Sequence, residues 1–161
     1  MESPWEESLS KVERALRRRG NPPTKGKGMV KRITLDSSVI VSSLLEKEPR
    51  HQEAFETWTG VVSGKYFAIM PYSVFVEVVA AVRRRTGSEK LAREVKLKLL
   101  SIETISFVVL DDKSASQAAD LAAKTGVRGM DALVLQVAKE FQTELISFDE
   151  EMVLNATNAF S

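Results

Sequence analysis

The chain has 161 residues, of which 43% are hydrophobic and 28% are charged, as in an ordinary globular domain with an appendage. The net charge is only +1, so any attraction to nucleic acid must come from local patches. The absence of cysteine excludes disulfides and thiolate chemistry, and the single histidine argues against a histidine-rich metal site. No apolar run approaches the roughly 18 residues of a membrane span, and the N-terminus is polar and acidic, so we expect a cytoplasmic protein.

The first part of the chain differs from the rest. A weak apolar stripe between Leu9 and Leu16 predicts a short helix, which the arginine run 17–19 follows. Two prolines and three glycines in residues 20–28 then predict a flexible linker. We therefore predict that residues 1–30 form an N-terminal extension with a basic linker, and that residues 31–161 form the folded domain. The arginine run either contacts RNA phosphates or is a solvated helix end.

From residue 31 onward, segments of strand and helix character alternate. The predicted strands are Ile33–Leu35, Lys65–Met70, Ile105–Leu110 and Leu145–Phe148. The predicted helices are Ser37–Leu45, His51–Val62, Tyr72–Arg85, Glu89–Leu100, a helix from Asp111 or Asp112 to Lys124, a helix from about Arg128 to Phe141, and a short last helix, Glu150–Leu154. This alternation predicts an α/β fold with three layers, α/β/α, around a mostly parallel central sheet of about four strands.

Four acidic residues stand out by their positions. Asp36 and Asp149 each follow a predicted strand, and Asp131 lies in the first turn of a predicted helix. Glu77 is the one charged residue in the apolar segment Val74–Val82, where an ionised carboxylate is costly without a cation, a hydrogen-bond partner or water. Each also has a structural interpretation. Asp131 could be an acid in the first turn of a helix, where the helix dipole favours it. Asp149 could cap the next helix, and Glu77 could lie on a narrow polar stripe and pair with an arginine.

Taken together, the four acids predict one site at the edge of the sheet. The C-terminal ends of parallel strands and the starts of the following helices share an edge, so Asp36 and Asp149 should meet there. Converging carboxylates repel one another, so Asp36→Asn should maintain or raise the stability of the metal-free protein. Clustered oxygen ligands suit Mg²⁺ or Mn²⁺, which can activate water against a phosphodiester. Ser37 either orients a carboxylate or a metal-bound water, or caps the first helix.

The motifs around these acids resemble those of the PIN-domain family, and within it the VapC-like toxins of prokaryotic toxin–antitoxin pairs. The segment ITLDSSVIVSSLL is similar to the family's first acidic motif, and PYSVFVEVVAAVRR is similar to the second. The segment GMDALVLQVAKEFQTELISFDEEM is similar to the last two, with Ser147 near the position where the family usually has threonine. The resemblance covers about Lys31 to Leu154 and leaves residues 1–30 outside.

The resemblance implies a metal-dependent endoribonuclease that cleaves single-stranded RNA. It also implies a homodimer and a small antitoxin protein as partner. The family's catalytic and metal-ligating positions correspond to Asp36, Glu77, Asp131 and Asp149, with Mg²⁺ or Mn²⁺ as the cofactor. Two alternatives stay open: a housekeeping PIN nuclease of RNA processing, and a catalytically silent module that binds RNA or protein.

Two further features bear on function. Arg83, Arg84 and Arg85 place positive charge near the second acidic motif, and they either contact RNA phosphates or form a solvated or dimer-edge face. A phospho-acceptor domain of the receiver type would also gather acids at strand ends. That chemistry needs a lysine after the last strand, whereas Asp149 is followed by two glutamates, so the sequence disfavours it.

Overall fold

The structure is a computed structural model that describes Glu7, Ser10, Arg14 and residues 30–161. The predicted extension, residues 1–30, lies outside the described residues except at those three positions and Val30. The arginine run 17–19 lies outside them as well.

Residues 30–161 contain the strands and helices in the predicted order. The strands are β1 (Lys31–Leu35), β2 (Tyr66–Pro71), β3 (Ile105–Val108) and β4 (Glu144–Ile146). The helices are α1 (Ser37–Leu44), α2 (His51–Val62), α3 (Tyr72–Thr86), α4 (Glu89–Ser101), α5 (Asp112–Thr125), α6 (Gly129–Glu140) and α7 (Glu150–Phe160). None of the helices in this range is long and apolar enough to cross a membrane.

The strands form one parallel sheet in the order β3–β2–β1–β4. Ile33 of β1 pairs with Ala68 of β2 on one side and with Glu144 of β4 on the other. The C-terminal ends of β1 and β4 are therefore neighbours at the same edge of the sheet. This arrangement confirms the predicted α/β fold class with a parallel central sheet.

The core surrounds β1 on both faces. Ile33, Thr34 and Leu35 are consecutive and all buried, although successive side chains of a strand point to opposite faces. Both faces are therefore covered, as expected for a parallel sheet between helical layers. The polar member of this run, Thr34, is satisfied by a hydrogen bond between its hydroxyl and that of Thr143 at 2.5 Å.

The last strand is shorter than predicted. β4 ends at Ile146, whereas the apolar run predicts a strand through Phe148. The backbone N–H of Phe148 donates to the Ser38 hydroxyl, and that of Asp149 donates to the Ser147 hydroxyl. These amides use side-chain acceptors instead of strand partners, so the ladder stops where the acidic site begins.

Two other elements end at least two residues away from their predicted C-terminal bounds. β3 ends at Val108 rather than Leu110, and the two residues that follow it are exposed. α7 continues to Phe160 rather than ending at Leu154. Its buried stripe consists of Met152, Ala156 and Ala159. The small alanines carry a weak apolar signal in the sequence, yet their helical spacing lets the last turns of α7 pack against the domain.

Candidate active site

Asp36 follows β1 directly and is held in one orientation by three hydrogen bonds. It is the N-cap of α1, and its Oδ1 accepts from the backbone N–H of Ser37 at 2.8 Å. Its Oδ2 accepts from the hydroxyls of Ser38 at 2.8 Å and Ser147 at 3.0 Å. The residue is only 6% exposed. Hydrogen bonds to an ionised acceptor are strong, so this carboxylate presents its remaining lone pairs in fixed directions.

The same two serines tie the end of β4 to the end of β1. The Ser38 hydroxyl accepts from the backbone N–H of Phe148 at 3.2 Å, and the Ser147 hydroxyl accepts from that of Asp149 at 3.0 Å. Ser147 thus couples two of the acids through one side chain. The sequence interpretation missed Ser38. Its only sequence signal is a second serine after Asp36, which reads as an ordinary first-turn helix residue.

Asp149 has two roles at once. It is the N-cap of α7, where its Oδ1 accepts from the backbone N–H groups of Glu151 at 3.0 Å and Met152 at 3.3 Å. Its Oδ2 lies 3.7 Å from the guanidinium of Arg128. The helix-capping interpretation therefore describes one oxygen, and the other faces the guanidinium of Arg128.

Asp131 lies in the first turn of α6, partly exposed and surrounded by charge. Burial raises the pKa of its carboxyl, and so do the negative charges of Asp36, Asp149 and Glu77. Arg128 lowers the same pKa, and its Nε lies 3.7 Å from Asp131 Oδ2. All three other predicted site residues raise the pKa of Asp131, so the structure brings them within electrostatic reach of this carboxyl.

Glu77 reaches this group from α3. Burial raises the pKa of its carboxyl, the hydrogen bond from Ser37 lowers it, and the charge of Asp36 raises it again. Arg84 and Arg128 also lower this pKa. Because Asp36 is the N-cap of α1, the interpretation of Ser37 as the capping residue is wrong. The Ser37 side chain instead orients Glu77, the other role considered for it.

The model of the PIN domain family matches residues 33–157 of this sequence. The chain belongs to the PIN domain family. Among solved structures, this PIN domain is similar to VapC20 of Mycobacterium tuberculosis, a sarcin–ricin-loop-cleaving toxin, with 18% sequence identity and a TM-score of 0.64. The similarity covers 76% of this chain and 93% of that one, and at this identity it concerns the fold. A search of curated proteins found no match.

The acids of this PIN domain suit a hydrated divalent cation better than a closed ligand cage. Within the part of the chain that the structure describes, no three His, Asp or Glu side chains are close enough to surround an ion. Mg²⁺ retains several waters and needs only one or two direct carboxylate ligands, so this spacing is compatible with it. Burial is the first cause of the raised pKa values of Glu77 and Asp131, and neighbouring carboxylates raise both further. The all-oxygen donor set is of the kind that hard divalent cations prefer.

The three consecutive arginines of α3 do not form one patch, because adjacent helical residues point about 100° apart. Arg84 acts electrostatically on Glu77, from two turns further along the same helix. Arg85 pairs with Glu48 at 2.5 Å. Arg83 lines a groove between α3 and α4. Of the three residues predicted to bind RNA, Arg84 is the one that the structure associates with the acids.

Proposed function

We propose that this PIN domain is a metal-dependent endoribonuclease that cleaves single-stranded RNA and serves as the toxin of a type II toxin–antitoxin pair. The observation that carries the proposal is the convergence of Asp36, Glu77 and Asp149 on the carboxyl of Asp131 in a chain of this family. The similar fold of VapC20, a sarcin–ricin-loop-cleaving toxin, supports the same kind of substrate.

The proposed site divides its tasks among the acids. The residues that would hold Mg²⁺ or Mn²⁺, one or two of them directly and the others through its waters, are Asp36, Glu77, Asp131 and Asp149. A bound cation supplies Lewis acidity, which stabilises negative charge that develops at the phosphodiester. The three hydrogen bonds of Asp36 keep its carboxylate in place without adjustment during the reaction. Burial raises the pKa values of Glu77 and Asp131, which favours proton acceptance by these two carboxylates.

Positive charge near the acids supports a polyanionic substrate. Arg84 and Arg128 both act on the pKa of Glu77, and the side chain of Arg128 is 80% exposed. Guanidinium groups at such positions bind phosphates of the RNA backbone and position the chain without reading its sequence. We propose that Arg84 and Arg128 contact phosphates on either side of the bond that is cleaved.

The antitoxin half of the proposal is supported by the groove between α3 and α4. This groove has a volume of about 430 Å³, with Phe75, Val76 and Val79 among its apolar residues. Arg83, Arg93 and Lys96 also line it, together with one acid, Glu89, so basic residues outnumber acidic ones in its lining. An amphipathic segment with an acidic face matches this combination of apolar and basic lining. We propose that an antitoxin inserts such a segment here, and we retain the prediction of a homodimer.

RNA cleavage by the full chain tests the nuclease proposal. A labelled single-stranded RNA and its duplex are incubated with the protein in Mg²⁺, Mn²⁺ or EDTA, beside Asp131→Asn and the control Asp120→Asn on the exposed side of α5. We expect cleavage of the single strand only with a divalent ion, and a loss of about 100-fold or more in Asp131→Asn. Cleavage in EDTA, or full activity of Asp131→Asn, would overturn the proposed mechanism.

Further assays separate the alternatives. Induced expression of a toxin arrests growth, and coexpression of its antitoxin restores growth. A housekeeping nuclease would cleave RNA in vitro yet leave growth unaffected when expressed. A silent module would bind RNA without cleaving it in any of the ions. A Val76→Asp variant should lose the antitoxin while it retains cleavage, because Val76 is exposed in the groove rather than at the acids.

A further inference from the structure

Arg128 is the basic residue most closely associated with the acids. It is the N-cap of α6, and its guanidinium lies 3.7 Å from Asp131 Oδ2 through Nε and 3.7 Å from Asp149 Oδ2 through a terminal nitrogen. It also lowers the pKa of Glu77 and of Asp131. The guanidinium of Arg128 thus interacts electrostatically with acids from three elements, α3, α6 and the start of α7.

These contacts locate the guanidinium of Arg128 beside the acids but do not hold it rigidly. At 3.7 Å both ion pairs are longer than a hydrogen bond, so neither is the tight two-pronged pair that arginine forms with a carboxylate. The side chain is 80% exposed, and the adjacent Gly129 has open space around it. Exposed ion pairs of this kind contribute little to stability. The guanidinium can therefore leave the acids at small cost.

The oxygens that face Arg128 are also the ones left for another cation. Asp149 uses Oδ1 to cap α7, so Oδ2 is the oxygen directed to the guanidinium. Asp131 likewise presents Oδ2. A divalent ion bound by these oxygens would repel the guanidinium, and the two cations compete for the same acids. In the proposed nuclease, a phosphate of the RNA would lie beside the bound cation and within reach of the displaced Arg128. Phosphate is the other group that arginine binds preferentially.

We infer that Arg128 is a positioning residue that exchanges partners: it neutralises Asp131 and Asp149 until a divalent cation binds, and then holds a phosphate of the RNA. This inference rests on the proposed function. It predicts that Arg128 weakens the binding of the cation in the absence of RNA and strengthens the binding of RNA in the presence of the cation. A residue with a merely structural role would do neither.

The first test is calorimetric titration of the full chain with Mn²⁺ in the absence of RNA. Arg128→Gln should bind Mn²⁺ about tenfold more tightly than the unmodified protein, a difference of about 1.4 kcal/mol. Arg128→Lys, which keeps the charge, should restore much of the original affinity. The matched control is Lys31→Gln, which removes one exposed cation and its pair with Glu144 at the opposite end of β1. It should leave the affinity unchanged.

The second test measures RNA binding in a Glu77→Gln background, which slows cleavage while it keeps Asp131 and Asp149, the two ion-pair partners of Arg128. The Mn²⁺ concentration is one that calorimetry shows to saturate this variant. With Mn²⁺, adding Arg128→Gln should reduce the salt dependence of binding by about 0.7 in the slope of log K against log salt, the contribution of one phosphate contact on a single strand. Without Mn²⁺ the slopes should coincide. Equal Mn²⁺ affinities, or equal slopes with Mn²⁺, would overturn the role of Arg128 alone. Absence of Mn²⁺ binding in every variant would overturn the proposed function as well.

Discussion

Asp36→Asn separates the structural from the electrostatic role of an acid at the site. The repulsion between carboxylates, considered alone, predicts that this substitution maintains or raises the stability of the metal-free protein. The hydrogen bonds reverse that expectation. The buried carboxylate accepts from the hydroxyls of Ser38 and Ser147. An amide nitrogen at the same position has no lone pair, so each hydroxyl must rotate and accept a neutral hydrogen bond from it instead.

The magnitude follows from these two bonds. A hydrogen bond to a charged acceptor contributes about 1.5–3 kcal/mol and a neutral one about 0.5–1.5 kcal/mol, so the substitution costs about 1 kcal/mol for each serine. The cap of α1 is preserved, since asparagine caps as well as aspartate. Relief of repulsion from Glu77 and Asp131 returns about 1 kcal/mol. The net loss of about 1 kcal/mol corresponds to a fall of about 2–4 °C in Tm for a protein of this size.

The assay is thermal unfolding in EDTA, followed by circular dichroism, with Asp36→Asn and Asp120→Asn measured beside the unmodified protein. Asp120 is exposed on α5, so its substitution controls for the chemistry of the change. We expect only Asp36→Asn to lower Tm. If Asp36→Asn raises Tm in EDTA, the hydrogen bonds assigned to Asp36 do not outweigh its repulsion, and the reasoning is refuted.

Three further predictions concern stability. Burial raises the pKa of Glu77 in the folded protein above its unfolded-state value of 4.5, so ionisation of Glu77 destabilises the fold as pH rises from 4.5 through the raised pKa. Glu77→Gln should therefore raise Tm near neutral pH in EDTA and change it little below pH 4.5. A Tm gain that does not depend on pH would contradict this. Thr34→Val should cost about 1–3 kcal/mol in urea unfolding, because it leaves the buried Thr143 hydroxyl unpaired; an unchanged midpoint would show that the pair is dispensable. Gly60→Ala should cost about 1–3 kcal/mol, because the new Cβ would lie 2.6 Å from the Tyr66 ring; equal stability would mean that the ring moves freely.

The order of strands and helices could be predicted because hydrophobic periodicity is a local signal. Strand β1 and helices α2 and α3 each carry it clearly. Strand ends are harder to predict, since the competing partners come from elsewhere in the chain. The Ser38 hydroxyl that takes the Phe148 amide is 110 residues away in sequence. No local pattern around Phe148 shows that its amide leaves the sheet.

The acids of the candidate site could be predicted from the sequence, whereas the groups that surround them could not. Glu77 was visible as a lone charge in an apolar helix, and Asp36 was visible as an acid at a strand end. Arg128 gave no such signal, because one arginine before a helix is common, and its importance depends on Asp149 approaching from another element. The Arg83–Arg85 run gave a strong signal, yet only helical geometry shows that its members point apart.

We propose that the four acids share one divalent-cation site. Crystals of the protein grown with Mn²⁺, measured at a wavelength where manganese scatters anomalously, test this directly. We expect an anomalous peak with carboxylate oxygens of at least two of the residues Asp36, Glu77, Asp131 and Asp149 about 2.1 Å away, the distance typical of hard cations of this size. A peak elsewhere on the molecule, or none at millimolar Mn²⁺, would contradict the claim.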